Sequence, residues 1–81
     1  MKDAAAKLKE LFASIGMTDE AKSVEQILAL PVNELQEEVD YLRDLKEQAS
    51  QAERTTSGAE QEKYRNRRET LIKIMELIYL A

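Results

Sequence analysis

Residues 71–80 read Leu-Ile-Lys-Ile-Met-Glu-Leu-Ile-Tyr-Leu, eight large apolar side chains in ten positions. The two interruptions, Lys73 and Glu76, are three residues apart and so share one narrow strip of a helix. A helix that is apolar nearly all round exists only when it is covered on most sides. The other 71 of the 81 residues must supply that cover, or a second copy must. Small chains bury proportionally little surface, which points to a homodimer joined through Leu71, Ile74, Met75, Ile78 and Leu80.

The remaining chain is built for helices. Ala, Leu, Glu, Lys and Gln dominate it, and 2 Gly and 1 Pro leave few places to break. The breaks divide one domain, residues 1–81, into four helices at about 4–15, 19–29, 32–54 and 58–80. The first places Ala4, Leu8, Leu11, Phe12 and Ile15 on one stripe, with Asp3 as N-cap and Gly16 as a left-handed stop. The second starts at Thr18 or Asp19 and ends before Pro31, which disfavours the helical region for Leu30. The third starts on Pro31, or on Asn33 with Gln36 as its reciprocal partner. For the fourth, Ser57 and Glu60 have capping-box spacing.

Residues 55–57 are too short a link for anything but an antiparallel return. A single unbroken helix over 33–80 is the competing arrangement, but it must carry Thr55, Thr56, Ser57 and Gly58 through its middle. Folded as a hairpin, the chain pairs positions whose numbers sum to about 113. Leu35 then meets Ile78, Val39 meets Ile74 and Leu42 meets Leu71. Beyond that level the pairs become Lys46 with Arg67, Ala49 with Tyr64 and Glu53 with Glu60. The expected architecture is therefore all-α: two short N-terminal helices packed on the base of a long antiparallel helical hairpin. The base has an apolar core and the tip almost none.

Composition excludes much chemistry. Without Cys or His there is no disulfide scaffold, no thiolate or imidazole zinc site and no Cys or His nucleophile. Two glycines cannot make a phosphate-binding loop. The helix-three carboxylates Glu34, Glu37, Glu38, Asp40 and Asp44 include i, i+4 pairs, a spacing that can serve acid–base work or hold a hard cation. A helical-bundle carboxylate site also uses a Glu-x-x-His pair, and a catalytic acid needs a desolvating pocket. These acids flank the seam on its wet sides, so the expectation is a solvated face, no enzyme, and no metal or cofactor. The start Met1-Lys2-Asp3-Ala4 has no apolar signal segment, and no apolar run approaches the about 18 residues of a span, which suits a cytoplasmic chain. The lysines of the first helix are offset by Asp3 and Glu10, so packing in the core is preferred to lying on a membrane.

Charge is uneven: net −1 over residues 1–30, −4 over 31–57 and +1 over 58–81, for −4 in all. That balance disfavours general phosphate neutralisation. One basic cluster survives at Lys63, Arg65, Arg67 and Arg68, with Tyr64 among them. It can pair with the acids of helix three, meet a protein, or grip and stack nucleic acid. The preferred reading is a non-catalytic protein acting on a protein partner as adaptor, inhibitor or assembly factor, with Tyr64, Arg65 and Arg68 as its contact residues. A nucleic-acid-binding regulator and a purely structural oligomerisation module are the alternatives. Size and acidity, though no motif, fit a phage or mobile-element protein.

Overall fold

The computed structural model describes the backbone of residues 2–80 and the side chains of residues 4–79. Five helices make it up: α1 (Lys2–Ser14), α2 (Thr18–Lys22), α3 (Val24–Leu28), α4 (Val32–Thr55) and α5 (Ala59–Leu80). No strand occurs among the described residues. The long pair α4 and α5 turns back on itself between residues 55 and 59 and shares the most extensive contact in the fold. A continuous helix is thereby excluded. No described helix is long and apolar enough to cross a membrane.

The end of α1 follows from Gly16. Its φ of +80° is the left-handed conformation that halts a helix. The Gly16 N–H donates to the Ala13 carbonyl (3.1 Å) and the Met17 N–H to the Phe12 carbonyl (2.9 Å). Those two bonds make a Schellman motif, and buried Met17 joins Phe12 in the core as its apolar closure. At the other end Asp3 lies inside the helix rather than capping it; its side chain falls outside the described residues.

Two expected boundaries move. The single helix of 19–29 is two short ones, broken at Ser23 (φ −104°, ψ 11°), whose N–H reaches back only three residues to the Glu20 carbonyl (3.0 Å). Serine is a weak helix former at such a point, and the break turns Val24 and Ile27 inward. At the hairpin, Gly58 rather than Ser57 is the residue that leads into α5. The Gly58 carbonyl accepts the Glu62 N–H (3.2 Å), and its φ of +67° is unlike the extended backbone a capping box requires. Asn33 is not the cap of α4 either: Pro31 precedes the helix, and Gln36 donates to Asp40 instead (3.0 Å).

The apolar residues expected along the seam form the core, except that Leu35 is only partly buried. Val39 and Leu42 of α4 and Leu71, Ile74 and Ile78 of α5 are buried together with Leu8, Phe12, Met17 and Val24. α1 lies against α2 and α5, and α3 bridges α1 and α4. The apolar run of α5 is thus covered on one face within the chain, while Tyr79 keeps 62% of its surface exposed. Of the residues expected at a dimer interface, Leu71, Ile74 and Ile78 have at most 3% of their surface left and lie in the core. Met75 is half-buried against the same core, and the side chain of Leu80 falls outside the described residues.

The cover stops half-way. At 1.5 Å per residue, the 24 residues of α4 span about 36 Å and the 13 of α1 only about 20 Å. The molecule is 38 Å long. The upper half of the hairpin therefore stands as two helices on their own.

Candidate functional site

Two things happen on the upper hairpin: a clamp closes it, and a cleft opens beside it. Helical side chains lean toward the N-terminus of their own helix. In an antiparallel pair, those on α4 lean toward the base and those on α5 toward the tip. Glu53 and the arginines Arg65 and Arg68 consequently converge, although they lie at different levels. The Glu53 carboxylate accepts Arg65 Nε at 3.1 Å on one oxygen and Arg68 Nε at 3.0 Å on the other. Glu53 is left 18% exposed. The expected repulsion between Glu53 and Glu60 is replaced by this three-residue clamp.

Polar groups finish the turn. Thr56 Oγ1 donates to the Ala52 carbonyl (2.7 Å), Thr55 Oγ1 to the Gln51 and Ala52 carbonyls, and Gln61 Nε2 crosses to the Glu53 carbonyl (3.2 Å). These satisfy carbonyls that the end of α4 leaves without helical partners. Order at the tip thus comes from hydrogen bonds rather than from burial.

The clamp sets a pH dependence. The Arg65 and Arg68 bonds hold the Glu53 carboxyl below its ordinary 4.5. Its contribution to stability is fully present above 4.5 and is lost as pH falls through the lower, folded value. Glu38 runs the other way. Burial, and then the charge of Glu20, raise its carboxyl, so its contribution is fully present below 4.5 and fades as pH rises through the folded value. Glu53→Gln should therefore flatten the acid limb of stability against pH, read by thermal melts from pH 7 to 3. An acid limb as steep as the wild type's would mean that the clamp does not carry it.

The sequence-predicted contact residues are divided by this arrangement. Arg65 and Arg68 are engaged within the chain, and reversing both would set three carboxylates together and loosen the tip. Tyr64 is half-buried and lines a small cavity of about 270 Å³ with Ala49, Ala52 and Leu45, the large-against-small pairing expected of Ala49 and Tyr64. Arg67 closes the side of that cavity.

On the far side of Arg67 lies an open cleft of about 830 Å³, where residues 14–16 at the end of α1 face the first three turns of α5. Ile15 and Ala59 give it apolar surface, and Ser14, Asn66 and Thr70 give it hydrogen-bonding groups. Lys63 and Arg67 stand one turn apart along it, with no carboxylate within 4.0 Å among the described residues, and Glu62 is its one acid. The sequence marked Lys63 and Arg67 as basic. It gave no sign that the Gly16 stop would bring α1 to an end beside them, because that depends on how α1 packs on α5.

No group of three or more Asp, Glu, His or Cys among the described residues is placed to hold a metal ion. Glu37, Asp40 and Asp44 are exposed, Asp40 pairing with Arg43 (3.3 Å) and Asp44 accepting Gln48 (3.3 Å). Compared with known proteins, the chain matches no family model, no curated protein and no solved structure.

Proposed function

We propose that the chain is a non-catalytic cytoplasmic module that acts by binding another protein, as an adaptor, inhibitor or assembly factor. One observation supports this above the rest: half of the hairpin is ordered without being covered. Ordering a residue costs about 1–2 kcal/mol of backbone entropy, and burial normally offsets it. Here a charged clamp and four side-chain bonds to carbonyls hold a two-helix surface in place. A surface held rigid before contact loses less on association. The nucleic-acid alternative is weakened by the same clamp, since Glu53 takes up two of the four basic groups that would grip phosphates.

The test is a pull-down from the native host with the full chain, followed by amide exchange on the complex with the purified partner. Protection gained over residues 45–70 is expected. A partner that protects only the base, or an oligonucleotide bound in place of any protein with affinity falling steeply in salt, would overturn the reading.

A further inference from the structure

We infer that the cleft at the end of α1 receives an acidic amphipathic helix of the partner protein, laid along α5 where α1 stops. This rests on the protein-binding reading above and commits it to one site and one ligand chemistry.

Length fits first. α5 runs from Ala59 to Thr70 beside the cleft, about 18 Å at 1.5 Å per residue, enough for about three turns of an incoming helix. α1 already packs against α5 lower down, so a helix continuing the track of α1 meets α5 at ordinary helix–helix geometry. The end of α1 leaves room for it: a Cβ built on Gly16 would have nothing within 4 Å.

Charge decides the rest. Lys63 and Arg67 line the cleft at i, i+4 spacing with no ion-pair partner among the described residues, against the single acid Glu62. A helix bearing Asp or Glu one turn apart matches that spacing, while its apolar stripe faces Ile15 and Ala59. A second copy of this chain is the poorer occupant. It would have to offer the acidic outer face of α4, whose Asp40 is already paired with Arg43 and whose Asp44 already accepts Gln48.

The experiment uses a displayed library of helix-forming 16-residue peptides selected on the full chain. Enriched peptides should carry acids three or four residues apart opposite an apolar stripe. They should bind wild type and Arg54→Glu alike, Arg54 being exposed and outside the cleft, and bind Lys63→Glu/Arg67→Glu at least tenfold more weakly. Circular dichroism checks that this variant is folded, and Lys63→Gln/Arg67→Gln serves in its place if it is not. The inference is overturned if no peptide is enriched, if enriched peptides are neutral or basic, if reversal leaves affinity unchanged, if the chain associates with itself through the cleft, or if an oligonucleotide displaces the peptides. A natural partner that protects the upper hairpin while lacking an acidic helix would also overturn it, yet leave the protein-binding reading standing.

Discussion

Phe12→Ala should lower unfolding stability by about 3–5 kcal/mol, measured by urea denaturation. Phe12 is the largest fully buried side chain and has no exposed surface. It sits at the end of α1, where its ring enters the core shared with α5 and its carbonyl accepts the Met17 N–H that closes the Schellman motif. The bond survives truncation, but the apolar contact between the last turn of α1 and Met17 does not. An 81-residue domain of ordinary stability has about 4–12 kcal/mol to lose. The variant should therefore be marginal or unfolded at 37 °C. Amide exchange should show α1, α2 and α3 losing protection ahead of α4 and α5, because the hairpin keeps its own contacts. A loss below about 1 kcal/mol, the scale of an ordinary surface change, would mean that α1 does not pack on α5 as described.

The elements that could be read from residues are those whose cause is local. Gly16 ends α1 because only glycine adopts φ +80° at little cost, and that signal needs no knowledge of the fold. The seam of Val39, Leu42, Leu71, Ile74 and Ile78 is equally local, since a stripe at three- and four-residue steps has one way to be buried. Ser57 with Glu60 was a weaker guide. Spacing alone cannot tell a serine cap from a glycine one residue later, and Gly58 took the place. The break at Ser23 has no such local signal, because a serine between Lys22 and Val24 is tolerated inside many helices.

The candidate site was legible only in part. The sequence marks 63–68 as basic and 31–57 as acidic, but which arginine meets which acid depends on the direction side chains lean. Pairing by level alone put Glu53 opposite Glu60, whereas leaning brings Arg65 and Arg68 to it from five and eight positions further along than Glu60. The cleft was hidden for a related reason. It is bounded by residues 14–16 and 59–70, stretches far apart in sequence, and its position follows from the length of α1 relative to α4. Neither end of that comparison carries a motif.

Ile74→Asp should abolish the fold at every protein concentration. Ile74 has no exposed surface and lies in a core whose buried members are all apolar among the described residues. No buried base stands there to pair with a new carboxylate, and an uncompensated buried charge costs about 3–5 kcal/mol. Neutralising the acid instead leaves a buried polar group without a partner and a cavity where the isoleucine was. Removal of the packed side chain adds to the charge penalty, and the sum meets or exceeds the about 4–12 kcal/mol of an ordinary domain this size. A dimer held by the apolar end of α5 predicts something different. There, Asp at an interface position would yield a folded monomer, and the wild type would run at twice its 9.3 kDa in light scattering. The two arrangements are separated by measuring helicity and mass together over a hundredfold range of concentration. A wild-type monomer whose Ile74→Asp variant has lost its helicity throughout is the expected result. A folded, half-mass variant would show that Ile74 faces another copy, and that α1, α2 and α3 do not cover α5 by themselves.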